Sequence, residues 1–469
     1  MKLQLFNTES REKEILQSID GNKIRMYTCG PTIYDFAHIG NFRTYVFEDI
    51  LRRTIQFFGF TVEQAMNITD LDDKTIKGSI AKNIPLKEYT EPYRIAFFQD
   101  LAKLNIEKVE YYPNATDYIP EMIEMIEKLL VKGNAYRSSN GSIYFSIRQF
   151  PTYGRLSHLN LSDLKINASG DNEADEYEKD NLSDFVLWKA HDPERDGKIV
   201  WDSPFGPGRP GWHIECSAMA IKLLGPSIDI HCGGIDNMFP HHENEIAQSE
   251  CYSGCQFARL WMHAEHLLVD HKKMSKSLGN FYTLRDLLNK GYTGAELRYL
   301  LLSCHYRTQL NFTFAGLDGA RSSLTRIADL IDRLRGIDTE GALGISTPIL
   351  ENADNKFKLA LADDLNISVA LAALFDLIRE LNIQADENAL KRADAQAALK
   401  LLEQWDRVLG VLPLQAKEEA PIHLLELLNQ RNKARAEKNW KLSDQLRDEI
   451  QEAGYTIEDT ATGARLKKK

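Results

Sequence analysis

No stretch of this chain is apolar and uncharged for long enough to span a membrane, and its opening residues, MKLQLFNTESREKE, carry no apolar core of the kind a secretory leader needs. A cytoplasmic location without a membrane partner is the expectation. Cysteine is scarce: six residues, at 29, 216, 232, 251, 255 and 304, lack the density of a disulfide scaffold. In a reducing compartment they point instead to metal binding or catalysis. Excess positive charge is also missing. A formal net charge of −11 excludes a globally basic surface, so RNA would have to meet a local patch. The stretch 420–469 is a candidate patch, with ten Lys/Arg against eight Asp/Glu and a closing Lys467-Lys468-Lys469. What is present is an ordinary globular composition, 43% hydrophobic and 27% charged, in a chain of 469 residues. That length suits roughly three or four domains.

The stretch 24–48, IRMYTCGPTIYDFAHIGNFRTYVFE, concentrates the signals. A strand through Ile24 and Met26 ends at Cys29-Gly30-Pro31, and apolar residues at Phe42, Val46, Ile50, Leu51 and Ile55 predict a helix from Phe42 to Phe57. The turn between them delivers His38-Ile39-Gly40-Asn41 to the helix start. Free N–H groups, a glycine and the helix dipole predict an anion site there, with phosphate the obvious ligand. Taken alone, the same residues equally suit a half-buried histidine and a glycine that lets strand and helix pack closely. Far downstream, Lys273-Met274-Ser275-Lys276-Ser277 tips the balance. Two lysines spaced by small or flexible residues make a poor core segment and a good polyphosphate clamp.

Along the chain, a second strand from Thr61 breaks into the acidic turn Asp70-Leu71-Asp72-Asp73-Lys74. N-capping outweighs a metal loop there, because no EF-hand glycine or closing glutamate follows. Helical spacing from Ile119 to Val131 ends at Gly133, Gly141-Ser142-Ile143-Tyr144-Phe145 is hairpin-like, and 171–180, DNEADEYEKD, reads as a flexible acidic excursion. The sheet resumes at Phe185-Val186-Leu187-Trp188, and a strand from Ser227 to His231 leads to Gly233-Gly234-Ile235-Asp236. Pro240 suits the first position of a helix, so His241 and Glu245 project from one face. From about 316 onward the pattern is helical, in three segments around Leu324–Leu334, Leu371–Leu381 and Leu402–Leu412 that imply a bundle. A last helix is predicted over Leu424–Ala453, stopping at Gly454, with a small extended piece and a turn at Thr462-Gly463 after it.

Cys29, Cys216, His241 and Glu245 offer thiolate, imidazole and carboxylate at strand or helix ends, the ligands zinc takes. Cys251 and Cys255 are a rival pair that spacing does not exclude, and small buried thiols would look the same.

The ordered pair His-Ile-Gly-Asn and Lys-Met-Ser-Lys-Ser resembles the paired signatures of class I aminoacyl-tRNA synthetases. Either motif alone is weak; in this order they are specific. The strings MYTCGPTIYDFAHIGN, GWHIECSAM, FPHHENEIAQS and KMSKSLGNF resemble the cysteinyl-tRNA synthetase family in particular, and the likeness runs from Phe6-Asn7-Thr8 to the C-terminus. It implies an α/β fold: a Rossmann-like parallel-sheet catalytic domain with an inserted subdomain, then an all-α helical bundle and a small C-terminal anticodon-binding domain. The expected order is 1–115 and 185–250 for the two catalytic halves, 116–184 for the insert, 251–315 for the lysine-loop and stem-contact region, 316–412 for the bundle and 413–469 for the last domain.

The resemblance implies activation of L-cysteine by ATP and transfer to the terminal 2′-hydroxyl of tRNA(Cys), by a monomer. It also implies one Zn2+ on Cys29, Cys216, His241 and Glu245, selecting a thiolate that a shape pocket would separate poorly from serine's hydroxyl, and Mg2+ with ATP. Catalysis falls to His38, Asn41, Lys273 and Lys276, with Lys276 most directly on ATP; Gly40 and Asp236 join the ATP site. Gly30, Thr69, Trp212 and His231 correspond to the substrate pocket. Asn41 stands where the class motif has a second histidine, and Cys232 adds a thiol beside His231. Ligases that pass cysteine to an amino sugar share the catalytic half but lack the helical C-terminal portion. A zinc hydrolase built on His241-His242-Glu243 lacks the His-Glu-x-x-His spacing. The stretch Arg431–Ile450, with Lys433, Arg435, Lys438, Lys441 and Arg447 around Trp440, fits an anticodon-binding element.

Overall fold

A computed structural model describes residues 1–159, 184–414, 421–460 and 463–468. The predicted acidic excursion at 171–180 and Thr462 of the predicted turn lie outside the described residues. The chain divides into two compact units, Met1–Leu412 and Pro413–Lys469.

The first unit is built on β1 (Lys23–Thr28), α1 (Ile39–Phe57), β2 (Thr61–Met66), α2 (Trp212–Leu224), β3 (Ile228–Gly234), α3 (Glu243–Ser253) and β4 (Ala258–Ala264). The four strands form one parallel sheet in the order β4-β3-β1-β2. Alternation sorts β1 between two cores: Ile24 and Met26 join α1 residues Phe47, Leu51 and Ile55, whereas Tyr27 and Cys29 join Cys216, Met219 and Trp261 on the other face. Register pairs Tyr27 with His231 and His231 with Trp261, so this second face carries a row of rings. The strand order reverses between β1 and β3, and in open α/β sheets ligands bind beyond the strand ends at such a switch point.

Between the two halves of this sheet, the helix Ile119–Lys132 ends at Gly133 in the left-handed region (φ 77°) and leads into a four-stranded antiparallel sheet. The acidic turn is a cap. Asp72 accepts from Thr75 N (2.7 Å) to start the helix Asp73–Lys82, and Asp70 accepts from Thr116 N and Oγ1 (3.0 and 2.6 Å).

The bundle has four helices rather than the predicted three: Phe314–Arg335, Thr347–Ala362, Ile367–Asp386 and Arg392–Leu409. The additional one, Thr347–Ala362, buries Ala353, Ala360 and Ala362 beside three larger residues, which blunts its apolar period. The second unit also differs from expectation. Instead of one helix there are two, Ile422–Ala436 and Trp440–Glu452, because Lys438 turns left-handed (φ 58°) and Asn439 caps the next helix by accepting from Leu442 N (3.3 Å). A hairpin of Tyr455–Thr460 and Gly463–Lys468 follows. No helix among the described residues is long and apolar enough to cross a membrane.

Candidate active site and metal centre

Cys29 follows β1, Cys216 lies on α2, and His241 and Glu245 belong to the helical segment that becomes α3. Phe239 is extended (φ −138°, ψ 133°), so the helical turn restarts at Pro240 and puts His241 and Glu245 on one face. One ligand atom from each of these four buried residues lies within 4.8 Å of all the others. The set Cys29, His231, His242 and Glu245 meets the same limit.

Charge is crowded here. Burial would raise the acid of Glu245, yet His231 (2.9 Å) and His241 (3.1 Å) hold it down to about 2. Cys216 is likewise raised by burial, but a hydrogen bond from Cys29 and the charge of His241 draw it to about 6. Its partner Cys29 is pushed well up by that same hydrogen bond and by burial. Burial disfavours protonated His241, but Glu245 and Cys216 together lift it to about 10. Two sulfurs and a carboxylate sharing one buried spot therefore compete for positive charge. Glu245 Oε1 is buried and accepts no hydrogen bond, although His241 Nε2 is only 3.1 Å away. The donor set and this orphaned oxygen fit a divalent metal of borderline softness.

A surrounding layer fixes these side chains. His241 Nδ1 faces His213 Nδ1 at 2.9 Å, and Trp212 stacks on the His241 ring at 4.2 Å. Cys29 Sγ lies 3.1 Å from His242 Nε2, His242 Nδ1 2.8 Å from His263 Nε2, and His263 Nδ1 2.9 Å from Thr8 Oγ1. Glu243 is excluded as a hydrolytic base because three donors occupy it: Gly154 N, Ser157 N and Ser157 Oγ, at 2.7, 2.9 and 2.9 Å.

A cleft of about 220 Å3 runs from Cys29, Gly30 and Trp212 to His38, Asn41 and Phe281. Gly30 is obligatory, since a Cβ there would fall 1.8 Å from the carbonyl oxygen of Asn67. At the other end His38 caps α1, which therefore starts at Ile39 rather than Phe42: its Nδ1 accepts from Gly40 N (3.1 Å) and Asn41 N (3.3 Å), and Asn41 Oδ1 accepts from His38 N (3.0 Å). Two of the amides expected to be free for an anion are thus satisfied within the chain. With Nδ1 accepting, the ring proton sits on Nε2. Burial and the nearby Lys276 charge lower His38 to about 4, so it is neutral at pH 7. Lys276 pairs with Asp35 and lies 5.2 Å from the centre of the Phe281 ring. Its loop is shaped by Ser275 N donating to Asn280 Oδ1 (2.8 Å) and Asn280 Nδ2 donating to Lys273 O (3.2 Å). Met274 packs on Gly40, where a Cβ would lie 3.0 Å from its methyl carbon.

The remaining residues singled out in the sequence are spread around this frame. Trp212 lines the cleft. His231 is fully buried against Glu245 and Trp261; Thr69 is buried with Oγ1 3.2 Å from Glu215 Oε2. Asp236 is at the surface, its side chain 77% exposed and 3.4 Å from His266 Nδ1, while its neighbours Gly234 and Asn237 line the cleft. Lys273 is exposed on a two-residue strand. Cys232 points into the opposite core from Cys29, and Cys251 and Cys255 join no metal-holding group among the described residues. The sequence suggests His242 only as part of the disfavoured hydrolase, and His263 and Asp35 not at all. The doubled histidine in FPHHENE and the acid ahead of His-Ile-Gly-Asn were the available signals. In the second unit Lys433, Arg435, Lys438, Lys441 and Arg447 are exposed, as is Trp440.

Three family models match the chain: the class I tRNA synthetase (C) catalytic domain over 15–322, the DALR domain over 356–413 and the cysteinyl-tRNA ligase anticodon binding domain over 419–465. A cysteine–tRNA ligase of Protochlamydia amoebophila is 62% identical over 467 residues, covering 99% of this chain and 98% of that protein. Its counterpart in Chlamydia pneumoniae is 55% identical over 471 residues, again covering 99% and 98%. Among solved structures, a Mycobacterium tuberculosis methionyl-tRNA synthetase in complex with methionyl-adenylate superposes with a TM-score of 0.60 at 13% identity, covering 83% of this chain and 92% of that one. The ternary LeuRS–tRNA–LeuAMS complex of Agrobacterium radiobacter gives 0.60 at 12%, covering 85% and 87%. At such identities the structural likeness speaks to the fold.

Proposed function

The chain belongs to the cysteinyl-tRNA synthetase family, and on that footing we propose that Cys29, Cys216, His241 and Glu245 hold one Zn2+ that selects the amino acid through its sulfur. The overall reaction is the ATP-dependent ligation of cysteine to tRNA. What carries the reading is the position of the buried Cys/Cys/His/Glu cluster at one end of a cleft whose other end holds His38 and the lysine loop.

When bound, the zinc supplies a soft acid that favours thiolate over hydroxyl, the discrimination that pocket shape alone makes poorly. The protein side of the design is rigidity. Trp212 and His213 hold the His241 ring, and the carbonyl of Asn67 keeps the wall at Gly30 bare so that a small substrate approaches closely. Transfer of the adenylyl group builds negative charge on phosphate oxygens, which preorganised donors and cations must meet. Lys276 supplies the cation when it leaves Asp35, and neutral His38 donates from Nε2. Asn41, its oxygen spent on His38 N, positions that ring. Lys273 adds charge at the rim, Gly40 and Asp236 complete the nucleotide site, and Mg2+ accompanies ATP. Thr69 and His231 support the substrate pocket from beneath. The second unit takes the anticodon of tRNA(Cys), residues 116–184 form the connective insert, and the enzyme works as a cytoplasmic monomer.

Metal analysis of the purified chain and a Cys29→Ser variant, paired with pyrophosphate exchange, tests this. We expect about one zinc per chain in the wild type, loss of metal in the variant, and exchange that depends on cysteine. Exchange with serine at a comparable rate would remove the case for selection by sulfur.

A further inference from the structure

Aromatic rings and cations alternate at the mouth of the cleft. Tyr34 and Phe36 line it and remain 37% and 39% exposed. Phe36 meets Tyr93 edge to face at 5.3 Å, and Tyr93 meets Tyr89 at 5.6 Å. Arg285 lies over Phe36 at 4.7 Å, Lys74 over Tyr34 at 5.4 Å, and Lys82 over Tyr89 and Tyr93 at 5.1 and 6.0 Å.

This patch is constructed rather than incidental. The Tyr89 hydroxyl donates to Tyr34 O at 2.9 Å, and Gly78 makes room for the Tyr89 ring, because a Cβ at that position would fall 2.2 Å from Cζ. Arg285 is anchored by Asp100 at 2.6 Å and the carbonyl of Ala96 at 3.2 Å, which sets its guanidinium over Phe36. Several acids on these segments are engaged, Asp35 with Lys276, Asp73 with Lys189 and Arg209, Asp100 with Arg285, Glu91 with Arg94 and Asp72 with Thr75 N, while Glu88 is exposed on the helix that carries Tyr89 and Tyr93. Partly exposed rings flanked by cations are the chemistry of single-stranded nucleic-acid binding, with bases stacking on rings and phosphates meeting the charges.

We propose that Tyr34, Phe36 and Tyr93, with Lys74, Lys82 and Arg285, form the platform on which the unpaired 3′-terminal nucleotides of the tRNA stack as they enter the cleft, an inference that rests on the ligase reading above. The platform is continuous with the cleft through Tyr34 and Phe36. Its charge opposes that of an RNA backbone, whereas the chain as a whole, at −11, does not attract one.

Filter binding with two RNAs tests the assignment: a tRNA(Cys) transcript, and the same transcript shortened by its unpaired 3′ nucleotides. Tyr93→Ala should raise Kd for the complete transcript about fivefold or more, the low end of what one base–aromatic stack contributes. For the shortened transcript its Kd should match the wild type within about twofold, and Tyr93→Phe should restore the complete-transcript value. Exposed Lys82 gives an independent variant: Lys82→Ala should make the salt dependence shallower by roughly one phosphate contact, on the complete transcript only. Equal losses on both RNAs, or no loss on either, overturn the platform. So does a raised KM for ATP in pyrophosphate exchange without an RNA effect, which would mark a nucleotide site instead. A wild-type chain that charges no tRNA(Cys) overturns the ligase reading itself, whereas normal charging with unaffected variants overturns the platform alone.

Discussion

Glu48 sits on α1 with its side chain fully buried and neither carboxyl oxygen hydrogen-bonded. Burial pushes its pKa well above the ordinary 4.5, so the folded chain keeps a proton that the unfolded chain releases above that value. Stability from this group is therefore intact below pH 4.5 and is lost as pH rises past it. Glu48→Met, of similar length and apolar, should stabilise the protein by roughly 1–3 kcal/mol at pH 8, the usual cost of a buried unsatisfied polar group. The gain should shrink as pH falls towards 4.5. Urea unfolding at the two pH values measures it, and a gain independent of pH would contradict the account. Single residues differ in how legible they are. The chemistry of Cys29, Cys216, His241 and Glu245 made them candidates in the sequence, but spacing left Cys251 and Cys255 as rivals and it was the family resemblance that singled out the four. Glu48 could not be chosen, since a glutamate in a helix ordinarily faces water. Here α1 buries Arg43, Glu48, Asp49, Arg52 and Arg53 as well as its apolar stripe, being covered on more than one side.

The element that most repays attention is the junction of α1 with the lysine loop. Periodicity found the helix but not its start, because a histidine cap has no apolar signature and the Phe42 period begins a turn later. The same cap consumed two amides that the sequence had reserved for an anion. Lys276 now neutralises Asp35, a residue of the cleft wall, and the hydrogen bond it donates to Asp35, together with that carboxylate's charge, raises the lysine's pKa. Asp35 thus stands where a phosphate oxygen would compete for the same ammonium group. Removing the competitor should favour nucleotide. Asp35→Asn is expected to lower KM for ATP in pyrophosphate exchange by about two- to fivefold, no more, since the Lys276 side chain is 65% exposed and such pairs contribute only about 0–1 kcal/mol. An increase in KM would instead make Asp35 part of the ligand site.

Taken as a whole, the molecule joins its catalytic and helical parts more closely than the sequence suggests. A change from alternating to helical patterning near 316 looks like a domain boundary, yet Met1–Leu412 is one compact unit. Buried contacts explain this. Arg298 donates to Leu409 O at 2.8 Å and Leu104 O at 3.1 Å, Asn105 donates to Gly410 O at 2.8 Å, and Arg53 of α1 donates to Arg407 O at 3.1 Å. Such polar side-chain bridges across a hundred residues or more leave no trace in periodicity, which is why three of the bundle's four helices were legible and its attachment was not. A cut at 315 would take Leu409 O from Arg298, Gly410 O from Asn105 and Arg407 O from Arg53, leaving Arg298 only its acceptors within the catalytic part, and would remove the buried Leu317 and Ile327. Losing even one partner of a buried charged donor costs about 1–3 kcal/mol or more, and several are lost at once. Truncation after Leu412 severs none of them. The 1–412 fragment should therefore stay folded and retain cysteine-dependent pyrophosphate exchange within about twofold, while charging of tRNA(Cys) falls by at least tenfold. The 1–315 fragment should lose both exchange and its cooperative melt. If 1–315 melted cooperatively and still exchanged pyrophosphate, the bridges from α1 and Arg298 to the end of the bundle would have to be dispensable.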